Sequence, residues 1–121
     1  TLFPEALGAN NGFAAMDEGV ESRLARARPN EGGKIHAVTL DIAVARIGGT
    51  VDLIKLDIEG GEWALFPNQA AFSRVQNVRM EYHLVEGRTH GDLMTAVQAL
   101  GFHVAHSVQR KTGGIVWLSR V

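Results

Sequence analysis

Three carboxylates follow a short apolar stretch of the sequence, and their spacing suits a catalytic or binding site. Asp57, Glu59 and Glu62 lie at and just beyond the end of an apolar run over residues 51–58. Such a run predicts a strand that is covered on both faces, as in a parallel sheet. The working site of an open α/β sheet lies outside the carboxyl ends of its strands. We therefore expect these carboxylates to contact a substrate.

The next apolar stretch ends in a further acid and a histidine. Residues 75–84 alternate between apolar and polar side chains, and Glu81 and His83 share the polar side. On a strand beside the first, His83 would come close to Asp57 or Glu59 and could act as a general base on a hydroxyl group. The alternative is a histidine that only makes hydrogen bonds at the end of a sheet.

The acidic strand end also has a purely structural interpretation. In it, Lys55 pairs with a carboxylate, and Gly60 and Gly61 only make the turn. Glu62 would then lie at the start of a helix because the helix dipole favours an anion there.

A divalent cation is a further interpretation of the same side chains. Its ligands would be Asp57, Glu59, Glu81 and His83, which are chemically suitable. Their spacing matches no recognised metal motif, so the sequence assigns no metal site. Trp63 is most simply a core residue, although it could instead form a wall of the cleft.

Composition restricts the chain to one domain of ordinary globular type. It has 121 residues, of which 45% are hydrophobic and 21% charged, enough for one modest core. We assign residues 51–121 to an α/β core and 1–50 to an irregular lead-in. The net charge of −1 and scattered basic residues argue against nucleic acid, and no apolar run reaches the ~20 residues of a membrane span. The absence of cysteine favours a cytoplasmic location.

Helix and strand signals in the core predict how these residues are positioned. One helix is expected over 62–66, and another over 91–100, beginning at a capping box of Thr89 and Asp92. The apolar face of the second helix is predicted to bury Leu93, Met94, Val97 and Leu100. An antiparallel hairpin is predicted from two further strands, 102–108 and 115–119.

The lead-in shows weaker signals. Residues 34–39 have strand character, and Asp41 is a good N-cap for a helix over 42–47. Residues 18–28 could form a short helix that Pro29 stops.

The polar residues of the first strand end also resemble a family signature. Residues 57–62, preceded by Lys55, look like the Asp-x-Glu-Gly-x-Glu signature of FkbM-type methyltransferases, which depend on S-adenosylmethionine. Residues 39–41 and 81–83 resemble what precedes and follows that signature in the family. The resemblance implies the C-terminal half of a Rossmann-like methyltransferase sheet, with parallel strands, then an antiparallel β-hairpin, and helices on the faces.

The resemblance implies an activity and residue roles as well. It indicates O-methylation of a hydroxyl on a sugar or secondary-metabolite acceptor, with S-adenosylmethionine as cofactor and the small-molecule acceptor as partner. Asp57, Glu59 and His83 would orient the acceptor and handle its proton. The substrate cleft would be lined by Glu62, Glu81 and Trp63.

One segment is similar to the family's cofactor-binding glycine turn, through Gly8, Asn10 and Gly12. However, Ala6 occupies the acidic position of that turn, and no apolar strand precedes it. Asp57 follows Gly8 by 49 positions, whereas the intervening strands and helices need roughly 65 or more. We therefore expect this segment to follow the third strand of the sheet, and these 121 residues alone not to bind the cofactor tightly.

Two functions remain open at this point. In the first, the chain is part of a methyltransferase but lacks the cofactor turn. In the second, it is a truncated, catalytically inactive α/β domain that persists as a homodimer or interaction module. Loss of the first strands would expose the edge of the strand 51–58, which another copy could cover.

Overall fold

The computed structural model describes residues 1–16 and 27–121, which form two four-stranded sheets and four short helices. The first sheet comes from residues before position 40 and the second from residues after position 50. The described fold is mixed α/β with parallel and antiparallel strands, as the sequence predicts.

The first sheet overturns the expected irregular lead-in. Its strands are β1 (Glu5–Leu7), β2 (Gly12–Met16), β3 (Ala27–Pro29) and β4 (Ile35–Val38). They are arranged in the order β1-β4-β2-β3, with β1 parallel to β4 and the other pairs antiparallel. Strands of three to five residues carry too little periodicity to be recognised from sequence, which explains the difference.

The predicted N-cap of the helix over 42–47 is wrong, and most of the predicted helix over 18–28 lies outside the described residues. The helix α1 (Leu40–Ala45) has Thr39 as its N-cap, and Asp41 lies in its first turn instead. Hydrogen bonds from the side chains of Thr39 and Asn68 hold the pKa of Asp41 below its usual value. Residues 18–26 of the predicted helix over 18–28 lie outside the described residues. The last two residues of that prediction, 27 and 28, belong to β3.

The second sheet contains the predicted core elements. These are β5 (Val51–Leu56), α2 (Glu62–Leu65), α3 (Gln69–Phe72), β6 (Val75–His83), α4 (His90–Ala99), β7 (His103–Arg110) and β8 (Gly113–Ser119). The strand order is β5-β6-β8-β7. The parallel pairing of β5 with β6 and the antiparallel hairpin of β7 and β8 are both confirmed.

The hydrophobic core lies on one face of the second sheet. Alternation along β6 buries Val78, Met80 and Tyr82, and α4 adds Leu93 and Val97, all at most 1% exposed. The predicted capping box at the start of α4 is confirmed. Met94 on α4, which the sequence predicts to be buried, is only partly buried. Among the described residues, no helix combines the length and apolar character that a membrane crossing requires.

The opposite face of the second sheet is open in the described part of the chain. Leu53 on β5 is 54% exposed and Trp117 on β8 is 43% exposed. The expectation that β5 is covered on both faces is therefore wrong for the described residues.

Candidate functional site

The parallel register of β5 and β6 brings their carboxyl ends together. Leu56 is opposite Met80, so the chain that leaves β5 runs beside the last residues of β6. Glu59 then adopts a left-handed backbone with φ of +52°, which is uncommon for a residue other than glycine. Gly60 follows with φ of +96°, a conformation that glycine adopts without strain. This turn directs the Glu59 side chain back towards β6.

Three of the predicted site residues meet at this edge. Ligand atoms of Asp57, Glu59 and His83 all lie within 4.8 Å of one another, and we call these residues the strand-tip cluster. The closest pair is Glu59 Oε2 and His83 Nε2 at 3.1 Å. The side chains of Asp57, Glu59 and His83 are 38%, 24% and 29% exposed, so a ligand can reach all three.

Glu62 has a different position from the one expected at a substrate cleft. Its side chain is fully buried, and its carboxylate accepts hydrogen bonds of 3.1 Å from the backbone N–H groups of Ile58 and Gly60. Its Oε1 also lies 3.4 Å from His83 Nδ1, a buried nitrogen that lacks a well-aligned hydrogen bond. Glu62 therefore holds the turn and faces the histidine from behind, and it cannot contact a substrate directly.

Glu81 does not join the cluster. It forms an ion pair with Arg110 at 3.3 Å, across the sheet from β5. Lys55 approaches the cluster from the other side, with Nζ 4.0 Å from Asp57 Oδ2 and its own side chain 77% exposed. The ion pair of the structural interpretation is thus present, but a contact this long and this exposed contributes little to stability.

Trp63 supports the cluster from the helical side of the sheet. Its indole Nε1 donates a 2.7 Å hydrogen bond to the backbone carbonyl of His83, and the Arg88 guanidinium lies 4.8 Å from the centre of its ring. The half-buried ring lines a cavity of about 380 Å³ between α2 and α4, which the cluster residues do not line. Trp63 therefore anchors the end of β6 and lines a different cavity from the one expected.

The segment that resembles a cofactor turn lies in the first sheet. Residues 8–11 connect strand β1 to strand β2. They line a cavity of about 500 Å³ together with residues of β2, β3 and β4. A cofactor turn of this kind precedes a helix, whose N-terminal N–H groups bind the anionic part of the ligand. Because Gly8 and Gly12 open no helix, the residues present do not fit such a turn.

His90 has no role that its sequence pattern predicts, but in the structure its ring bridges two strands. One ring nitrogen is 2.6 Å from the hydroxyl of Tyr82 and the other is 3.0 Å from the backbone carbonyl of Arg110. Burial raises the pKa of Tyr82, so its hydroxyl stays protonated and can donate to His90. The pairing joins α4 to β6 and β7, and no local sequence pattern indicates it.

The strand-tip cluster can perform two kinds of chemistry. A histidine beside carboxylates can take a proton from a hydroxyl group, and the carboxylates can accept hydrogen bonds that orient it. Two carboxylate oxygens and one imidazole nitrogen at this separation can also hold a cation.

Comparison with known proteins identifies the family. The Methyltransferase FkbM domain matches residues 4–104, which is most of the chain. Searches of curated proteins and of solved structures gave no significant match. The match includes β5, β6, α4 and every residue of the strand-tip cluster. The chain therefore belongs to the FkbM methyltransferase family.

Proposed function

We propose that this chain is the acceptor side of an S-adenosylmethionine-dependent methyltransferase that O-methylates a hydroxyl group of a sugar or secondary metabolite. The observation that carries the proposal is the strand-tip cluster. Within a chain of a methyltransferase family, it places a histidine and two carboxylates, all solvent-accessible, at the carboxyl ends of parallel strands.

Each residue of the strand-tip cluster has a role that follows from its position. Asp57 is the most exposed member and binds and orients the acceptor. His83 Nε2 takes the proton of the acceptor hydroxyl, and the Glu59 carboxylate, 3.1 Å away, stabilises the imidazolium that forms. The buried carboxylate of Glu62 faces Nδ1 at 3.4 Å and favours the tautomer that carries a proton on that nitrogen. Alignment of the acceptor oxygen and removal of its proton are the two contributions that methyl transfer requires of this side of the site.

The methyl donor is S-adenosylmethionine in this proposal, by analogy with the family. We also propose that these 121 residues are a partial domain without the cofactor-binding glycine turn, since residues 8–12 join two strands. A cytoplasmic location stays a prediction.

Substitution of Asp57 in the full-length natural protein tests the proposal. Asp57→Ala should lower the rate of methyl transfer by about 100-fold, because misplacement of the acceptor by about 1 Å costs about that factor. Asp52→Ala is the matched control, since Asp52 is an exposed aspartate at the opposite end of β5 from Asp57. The rate is measured with radiolabelled donor, and circular dichroism checks the fold. An unchanged rate in Asp57→Ala, or loss of folding, would contradict the proposed role.

A second candidate function has one observation in its favour. In the described part of the chain β5 is an edge strand, which is an unpaired template for another strand. We retain the alternative of a catalytically inactive domain that forms a homodimer through this edge. The same assay separates the two candidates, since the inactive domain transfers no methyl group in either the natural protein or the Asp52→Ala control.

A further inference from the structure

We propose that the strand-tip cluster is a divalent-cation site, with Asp57, Glu59 and His83 as its protein ligands. The cation would have open positions for water and for the acceptor hydroxyl. The catalytic consequence rests on the proposed function, whereas cation binding itself does not.

The distances within the cluster suit a cation. Oxygen-bound divalent cations have ligand bonds of about 2.0–2.6 Å, so opposite ligands lie about 4–5 Å apart. The three ligand atoms of the cluster already lie within 4.8 Å of one another. The turn with positive φ at Glu59 and the register of β5 with β6 fix this approach, so the backbone does not have to move.

The charge of the site also favours a cation. Three carboxylates, those of Asp57, Glu59 and Glu62, surround one histidine. Among the described residues, Lys55 is the one lysine or arginine that forms an ion pair with these acids. Its contact with Asp57 is 4.0 Å long, and its side chain is 77% exposed. Like charges this close repel one another, and a divalent cation removes the repulsion.

Glu62 provides an observation independent of the three ligands. A histidine that binds a metal through one nitrogen donates its other N–H to a carboxylate, a carbonyl or water. His83 Nδ1 is buried without an aligned partner, and the fully buried carboxylate of Glu62 lies 3.4 Å from it. A small rotation of the imidazole would make this hydrogen bond and present Nε2 to the cation. A buried carboxylate in this position is the usual support of a metal-bound histidine.

The donor set indicates the class of cation. Carboxylate oxygens suit magnesium, calcium and manganese, and imidazole suits zinc, iron and nickel. Two carboxylates and one imidazole therefore favour a first-row divalent cation such as Mn²⁺. With the cation bound, His83 Nε2 is a ligand and would not take the acceptor proton. A hydroxyl oxygen bound to the cation would instead lose its proton more readily to water.

Titration with Mn²⁺, without cofactor or acceptor, tests the inference. Electron paramagnetic resonance and calorimetry should show one Mn²⁺ per chain, and pulsed measurements should detect a coordinated imidazole nitrogen. Asp57→Asn, Glu59→Gln and His83→Gln should each weaken binding by tenfold or more. Glu62→Gln should weaken it by about 10-fold to 100-fold through the histidine. Because Glu62 is buried, the partly exposed ligands Asp57 and Glu59 keep the test independent of folding.

Glu81→Gln is the matched control, because Glu81 lies on the same strand as His83 but pairs with Arg110. It should bind Mn²⁺ as the natural chain does. Absence of binding, or binding that the Asp57→Asn and Glu59→Gln variants retain, would overturn the inference. Unchanged methyl transfer after chelation would overturn its catalytic part but leave the proposed function intact. Specific Mn²⁺ binding in a protein without methyl transfer would instead overturn the proposed function alone.

Discussion

The two sheets of this chain differ in how much apolar surface they bury. In the second sheet, Val78, Met80, Tyr82 and Val116 are at most 1% exposed. The first sheet buries Ala14, Ala37 and Val38, whereas its Phe13 is 53% exposed and its Met16 44% exposed. Apolar burial contributes about 25 cal/mol per Å² to stability. Most of the stability of the described chain should therefore reside in the second sheet.

The comparison shows why the candidate site lies where it does. The strand-tip cluster extends from β5 and β6, whose buried faces pack in the main core. The first sheet is joined to the end of α1 by an ion pair between Glu5 and Arg46, and solvent-exposed pairs of this kind contribute little to stability. A site that must hold three side chains in register needs the better-packed support.

A matched pair of phenylalanine substitutions should give the largest contrast between the sheets. Phe72 is 2% exposed under the second sheet, and Phe13 is 53% exposed on the first. Phe72→Ala should lower the free energy of unfolding by about 3–5 kcal/mol because it leaves a cavity. Phe13→Ala should change it by about 0.5 kcal/mol or less. Urea denaturation measures both, and equal losses would contradict the assignment of the core to the second sheet.

Two glycine substitutions should have effects of intermediate size that differ between the two sheets. A Cβ on Gly114 would lie 2.2 Å from the Val108 carbonyl oxygen, and one on Gly33 would lie 2.1 Å from that of Ala14. Gly114→Ala should lower the free energy of global unfolding by about 1–3 kcal/mol, since the strands must move apart. Gly33→Ala should speed amide hydrogen exchange in the first sheet alone.

Residue-resolved amide hydrogen exchange measures the difference between Gly114→Ala and Gly33→Ala. Gly49→Ala is the control, because its Cβ would meet no atom within 4 Å. If Gly33→Ala accelerated exchange equally in both sheets, the two sheets would unfold as one unit.

The smallest effects should appear in acid. Hydrogen bonds from the backbone and side chain of Thr89 hold the pKa of Asp92 below its usual value of 3.8, and the side chain of Arg46 does the same for Glu5. A carboxylate with a lowered pKa stabilises the folded state above its unfolded pKa. That contribution is lost as the pH falls through the folded pKa.

Two neutral variants test this linkage. Asp92→Asn should flatten the fall of global stability below about pH 4. Glu5→Gln should flatten only the acid dependence of exchange in the first sheet. Unfolding curves and hydrogen exchange between pH 2 and 6 measure the two effects, and an unchanged acid dependence in Asp92→Asn would show that the capping carboxylate is not linked to folding.

Much of the second sheet follows from the sequence alone. The alternation over 75–84 determines which side chains of β6 are buried, and Thr89 with Asp92 determines where α4 begins. These signals are local, because each depends on residues close together in the chain and on backbone geometry common to all proteins. The apolar run before Asp57, read as a strand of a parallel sheet, likewise placed the acids at the carboxyl end of β5.

Other properties of the site were decided by the tertiary structure. Whether Glu62 faces a substrate or is buried depends on the turn at Glu59 and on the approach of β6, neither of which local spacing determines. The pairing of Glu81 with Arg110 likewise depends on the order β6-β8-β7, which brings together residues 29 positions apart. The first sheet shows the same limit, since its short strands are defined by their partners. Long-range pairing therefore determined which of the predicted residues meet, because side-chain contacts depend on the relative position of whole strands.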